Sequence, residues 1–223
     1  MKYENTVKGI FKSRPNRFIA YVEVNGELER VHVKNTGRCR ELLLPDVEVM
    51  LEICDKPERS TKYDLISVNK EGFGWINMDS QAPNRVVKEW LLKQPDITYI
   101  KPEYTFGDSR IDFYYETETG EKVLMEVKGV TLEKEGTAYF PDAPTERGVK
   151  HMRELERALA AGYRSRLAFV IQMNGITKVY PNYETHQEFG DVYEQIKQAG
   201  VEVIAYGCHV EPDSLEITDA FVN

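Results

Sequence analysis

Residues 109–132 read SRIDFYYETETGEKVLMEVKGVTL, and this stretch decides the fold. Two β-rich runs, SRIDFYYET and KVLMEVKGVTL, flank the turn-forming ETGE, so they are expected to pair as antiparallel strands. Side chains two apart on a strand share a face, which places Glu126 and Lys128 together and sends Val127 into the opposite layer. Asp112 lies on the neighbouring strand, where cross-strand pairing brings it beside Glu126. Two facing carboxylates repel unless a proton or a cation lies between them. Mg2+ or Mn2+ suits such a pair, because a hard cation takes one or two carboxylates, keeps waters and accepts phosphate oxygens. The expected metal ligands are Asp112, Glu126 and the main-chain carbonyl of Val127, with Lys128 facing the attacking water and the scissile phosphate. A plainer account makes Asp112 and Glu126 solvated strand residues paired with Arg110 or Lys128, and the D…ExK spacing alone does not separate the two.

Working outward, ITYIKPEYTF adds a third strand upstream and completes a meander. Before it, SQAPNRVVKEWLLKQPD carries Val86, Val87, Trp90 and Leu91 at helical spacing, with Ser80 or Asn84 as cap and Pro95 as terminator. This helix offers Glu89 as a further acidic catalytic residue, and Glu103 on the first strand competes for the same role. Downstream, TERGVKHMRELERALAAGY places Val149, Met152, Leu155, Leu159 and Ala160 on one helical face ending at Gly162. RLAFVIQM is a buried-strand run, DVYEQIKQAG a second amphipathic helix and VEVIAYGCHV a further strand. The order helix, three strands, helix, strand, helix, strand predicts a mixed α/β domain over residues 81–223 with a restriction-endonuclease-like core. In AYFPDAPTERGVKHMREL, a helix start with Arg147, Lys150 and His151 nearby favours a phosphate, while Thr145 caps and Glu146 complements the dipole. His151 fits a general acid or phosphate contact, or else a packing residue.

Residues 1–80 read as five short strands, VKGIFKS, RFIAYVEV, ERVHVK, VEVMLEI and YDLISVN. They predict a small barrel of OB type, with an SH3-like barrel fitting nearly as well. NTGRCRELLLP interrupts them, with about one helical turn over Cys39–Leu44. Arg14 and Arg17 interleave with Phe18 and Tyr21, as on a face that stacks bases and neutralises phosphates, and Arg38 and Arg40 extend it. The commoner alternative puts Phe18 and Tyr21 in the barrel core.

The net charge of −8 excludes a protein that holds nucleic acid by bulk positive charge alone. The first 80 residues carry 13 basic and 13 acidic side chains, so the whole deficit lies in residues 81–223 with the expected metal ligands. An acidic balance also suits a small-molecule or protein-interaction module. The three cysteines, Cys39, Cys54 and Cys208, form neither a disulfide framework nor a zinc spacing. Cys39, between Arg38 and Arg40, would be activated if exposed and is otherwise filler. No apolar run is long enough for a membrane span or a secretory signal, so the expectation is a cytoplasmic protein.

Four strings, NTGRCRELLLP, SRIDFYY, MEVKGVTL and AYFPDAPTERGVKHMREL, closely resemble the sugar fermentation stimulation protein family over nearly the whole chain. The resemblance implies an N-terminal OB-type domain, a C-terminal restriction-endonuclease-like domain, nonspecific DNA binding and a link to the regulation of sugar-metabolism genes. It carries the family motif onto Asp112, Glu126 and Lys128, with Arg110 beside them. Gly129 departs from the pattern, since members commonly have serine there. The expected partner is DNA, with RNA as a further substrate class. The two functional readings are a metal-dependent nuclease and a non-catalytic DNA-binding regulator. By analogy with the fold, a homodimer is expected.

Overall fold

The computed structural model describes residues 1–35, 37–54 and 58–223. Its first sheet contains β1 (Thr6–Asn16), β2 (Ile19–Val24), β3 (Glu27–Val33), β4 (Glu48–Ile53), β5 (Tyr63–Lys70) and β6 (Gly74–Asn77), in the order β3-β2-β1-β4-β5-β6. A parallel pairing of β3 with β5 closes the first five strands into an OB-like barrel. Alternation supplies the core: Ala20, Val22 and Val24 of β2 point inward, as do Val31 and Val33 of β3. Between β3 and β4 the chain makes one turn, with the Leu43 N–H donating to the Cys39 carbonyl at 3.0 Å.

Next comes α1 (Ala82–Leu92), then β7 (Ile97–Phe106), β8 (Ser109–Thr117) and β9 (Lys122–Val130). A small sheet follows, built from β10 (Leu132–Lys134), β11 (Thr137–Phe140) and, later, β13 (Val179–Pro181). The remaining elements are α2 (Glu146–Ala160), β12 (Arg164–Ile171), α3 (Gln187–Ala199), β14 (Glu202–Glu211) and β15 (Ser214–Val222). The main sheet of this half has the order β15-β14-β12-β9-β8-β7, with β12 parallel to both β9 and β14. A central strand covered on both faces must be apolar throughout, and β12 is buried from Leu167 to Ile171. Helix α2 packs on one face and α1 on the other, so β8 and β9 carry their functional side chains between two helical layers.

Several expectations need correction. Neither Ser80 nor Asn84 caps α1: Gln81 holds the cap position, the Ser80 hydroxyl donates to the Lys34 carbonyl, and Asn84 turns to Asp112. The buried stripe of α2 is rotated from the expected one. It comprises Val149, Met152, Leu155 and Ala158 together with Gly148, His151 and Glu154, while Ala160 is exposed. Two ionisable residues on the inward face of a helix break the local pattern, as is expected where chemistry competes with packing. Helix α3 starts four residues earlier than DVYEQIKQAG suggests, and Gly200 at φ 103° ends it as expected.

Candidate metal centre

The β8–β9 ladder runs from Glu116 opposite Lys122 to Phe113 opposite Met125. Beyond that pair a side chain takes over, and Asp112 Oδ2 accepts the Val127 N–H at 2.8 Å. N–H and C=O of one strand residue leave on the same edge, so the Val127 carbonyl faces this opening on the β8 side. Asp112 Oδ1 accepts from Asn84 Nδ2 at 2.9 Å, which ties the start of α1 to the site.

Opposite Asp112, Glu126 is buried, and its two carboxylate oxygens are treated differently. Oε1 accepts from Lys128 Nζ at 2.5 Å and from His151 Nδ1 on α2. His151 Nε2 in turn accepts from Arg147 Nε at 3.3 Å, an arrangement met by the neutral Nδ1–H tautomer. Oε2 is buried without a hydrogen-bond partner among the described residues. Burial pushes the Glu126 carboxyl up, but the Lys128 ammonium and the His151 hydrogen bond outweigh it and hold the group below its ordinary value. Asp112 goes the other way: burial first, then the Glu126 charge, raise its carboxyl against the Val127 N–H and Lys128. One carboxylate is thus fixed as an anion and its neighbour resists charging beside it, a polarisation that a bound cation relieves.

The other expected site residues fall elsewhere. Glu89 lies five residues beyond Asn84, roughly 7.5 Å further along α1, and its carboxylate holds the Met1 ammonium at 2.8 Å. Glu103, in a left-handed conformation at φ 55°, takes the Arg110 guanidinium at 2.6 Å on the exposed β7–β8 edge. The geometry ties neither carboxylate to Asp112 or Glu126: Glu89 is held by Met1, and Glu103, whose strand position lies across from Asp112, by Arg110. It brings Asn84, which the sequence reading treated only as a helix cap. His151 is buried on α2 and not at the surface, with Nδ1 hydrogen-bonded to Glu126. Arg147 and Lys150 are exposed on the first turns of α2, and Lys150 Nζ also donates to the Asp108 carbonyl at 3.3 Å.

On the barrel, Lys12, Arg14, Arg17, Arg38 and Arg40 line a groove of about 590 Å³. Arg14 is committed to its scaffold, donating to the carbonyls of Arg38 (2.8 Å), Arg17 (2.8 Å) and Asn35 (2.7 Å). Arg17, Arg38 and Arg40 remain exposed. Phe18 and Tyr21 are 52% and 37% exposed, so they are surface rings and not barrel core. Cys39 is buried, and burial pushes its thiol up to about 12, which settles it as filler.

Residues 81–214 match the family model described as the sugar fermentation stimulation protein RE domain, and residues 13–78 match that of the SfsA N-terminal OB domain. The chain belongs to the sugar fermentation stimulation protein family. A homolog from Desulfitobacterium hafniense is 56% identical over 221 residues, covering 98% of this chain and 96% of the relative. One from Clostridium beijerinckii is 54% identical over 222 residues, covering 98% and 97%. Among solved structures, Pyrococcus furiosus SfsA in complex with Ca2+ superposes with a TM-score of 0.86 at 26% identity, covering 100% of this chain and 97% of that one. The architecture of this family member is accordingly an OB-like barrel followed by a restriction-endonuclease-like domain. No helix among the described residues is long and apolar enough to cross a membrane.

The donors present fit a divalent cation. Glu126 Oε2 is a buried, unpartnered carboxylate oxygen, Asp112 faces it across the opened ladder, and all the donors are hard oxygens. Two other groups of ligating side chains are less suited. Glu52, Cys54 and Asp64 are already neutralised by Lys34 and Arg59, and Glu146, His186 and Glu188 include two exposed acids. At Gly129, where a serine was expected, a Cβ would overlap Gln172 Oε1 and lie 2.7 Å from Pro83 Cγ, so glycine suits this packing.

Proposed function

We propose that this protein hydrolyses phosphodiester bonds in DNA, using Mg2+ or Mn2+ held by Asp112, Glu126 and the Val127 carbonyl. The observation that carries this is the buried Glu126 carboxylate, with Oε1 fixed by Lys128 and His151 and Oε2 left without a donor. A pair of strand acids kept only for folding would be expected to have both oxygens satisfied. When bound, the cation polarises the phosphate and lowers the pKa of a coordinated water. Lys128 spends one of its three donors on Glu126, leaving the others to orient the nucleophile and offset charge gathering on the phosphate. His151 and Arg147 brace Glu126 from behind. Asn84 and the Val127 N–H set the Asp112 carboxylate.

Arg17, Arg38 and Arg40 supply the phosphate contacts that an acidic chain needs locally. Each neutralised phosphate contributes about −0.9 to the slope of log affinity against log salt. Arg38→Ala with Arg40→Ala is therefore expected to flatten the measured slope by about 2 units for duplex DNA; an unchanged slope removes the groove from the DNA path.

The test is a cleavage panel of labelled single-stranded, duplex and branched DNA and RNA with Mg2+ or Mn2+, comparing wild type with a folded Lys128→Ala variant. Cleavage by wild type that falls about a hundredfold or more in the variant supports the assignment. Salt-sensitive binding without cleavage on any substrate overturns hydrolysis and leaves a DNA-binding regulator.

A further inference from the structure

A cavity of about 300 Å³ lies between the barrel and the second domain, and its wall begins at Gly129. Gly129 follows Lys128, so the cavity starts one Cα step, about 3.8 Å, from the lysine of the site. It opens at the C-terminal ends of the parallel strands β9 and β12, where sheets of this kind take ligands.

Two glycines keep it open. A Cβ at Gly129 would overlap Gln172 Oε1, and a Cβ at Gly37 would overlap Asp142 Oδ2, so each bare backbone lies under an acceptor oxygen. Gln172 is 1% exposed, and its Nε2 donates to Asn77 Oδ1 at 2.9 Å and to the Asp79 carbonyl at 3.1 Å. Those two bonds fix which end of the amide is which. Oε1 is left toward the cavity, and among the described residues nothing donates to it. A ligand that brings a donor to this open acceptor gains a hydrogen bond there. The Asp142 carboxylate is a second acceptor on the wall, and Arg17 lines both this cavity and the basic groove of the barrel.

We propose that this cavity takes one unstacked nucleobase bearing an exocyclic amine, from the strand whose phosphate reaches Asp112 and Glu126. This rests on the phosphodiesterase reading above. The volume is at the small end for ligand sites and has room for a single base. The amine of cytosine or adenine donates to Gln172 Oε1 and to Asp142, whereas uracil or thymine sets a carbonyl against two acceptors. Taking a base out of the stack costs least in single-stranded or mismatched DNA, so those are the favoured substrates.

The experiment is fluorescence anisotropy of the full chain with short labelled oligo-dC, oligo-dU and oligo-dC carrying N4-dimethylated cytosine, in Ca2+, followed by cleavage of the same strands in Mn2+. Oligo-dC is expected to bind about tenfold more tightly than oligo-dU. Dimethylation, which removes the donors without touching the protein, brings affinity down to the oligo-dU level. Asp142→Asn removes most of the preference for oligo-dC over oligo-dU. Equal affinity for the three strands, or an Asp142→Asn variant with the full preference, overturns the proposal. Binding to none of them overturns it as well. A dC preference without any cleavage upholds the base site and sinks only the hydrolytic reading.

Discussion

Asp112→Asn is expected to abolish divalent-dependent cleavage while making the metal-free protein more stable. The first half follows from removing a ligand charge from the site, for which a loss of about a hundred- to a thousandfold or more is expected. The second follows from the carboxyl that burial and Glu126 hold above its ordinary value. A raised carboxyl binds protons more readily in the folded chain than in the unfolded one. Its contribution to stability therefore falls as pH rises from the unfolded pKa through the folded one, so above that range Asp112 is a standing cost to the metal-free protein. Asparagine removes that charge and keeps an oxygen to accept the Val127 N–H or the Asn84 amide. Cation binding reverses the order: wild type gains about 2.7 kcal/mol at a cation concentration a hundred times its Kd, roughly 5–10 °C in a chain of this size. The variant gains little. Thermal melts in EDTA and in Mn2+ decide the matter. If Asp112→Asn melts lower than wild type in EDTA, or gains as much from Mn2+, Asp112 is a structural acid and the metal assignment fails.

Most of the scaffold behind this site could be read from periodicity, because its elements are long and their buried faces regular. The five barrel strands, the β7–β8–β9 meander, α2 and β12 all lie where alternation or helical spacing put them. The small sheet of β10, β11 and β13 escaped because strands of three or four residues carry too few positions to show a period. The edge strand β15 escaped because it leaves Glu216, Thr218 and Asp219 in water, which hides its apolar members. Within the site, Asp112, Glu126 and Lys128 were legible because strand spacing dictates which side chains share a face. Asn84 was not, and neither was Gln172 at the neighbouring cavity. Each reaches its place through tertiary packing across 28 or more residues, Asn84 to Asp112 and Gln172 to Gly129, and neither residue type has a preferred spacing from these partners. The position of His151 was visible, but its role depended on the rotation of α2, which the apolar residues alone set incorrectly.

The second large effect is expected far from the chemistry, at Asp64. Its carboxylate is buried where β3, β4 and β5 meet, and it accepts from His32 Nδ1 at 3.0 Å, Arg59 at 3.1 Å and the Cys54 thiol at 3.3 Å, with Lys34 Nζ at 3.3 Å. Burial alone pushes this carboxyl up, but Arg59, Cys54, Lys34 and His32 together overcome it and hold the group well below the carboxylate range. Replacing it with asparagine strands cations and costs on the order of 3–5 kcal/mol at neutral pH. A lowered carboxyl pKa contributes its stability in full above the unfolded value, about 3.9, and loses it as pH falls toward the folded one. Urea denaturation should therefore show Asp64→Asn and wild type far apart at pH 7 and converging below about pH 4. A constant gap across that range would mean that packing, not charge, sets the cost. The effect should also reach the site. Lys34 spans from Asp64 to Asp79 at 3.3 Å, Asp79 Oδ1 accepts the Gln81 N–H at 2.9 Å at the start of α1, and its carbonyl accepts from Gln172. Asp64 thus steadies, through one lysine and one aspartate, the helix turn that delivers Asn84 and the amide that lines the cavity.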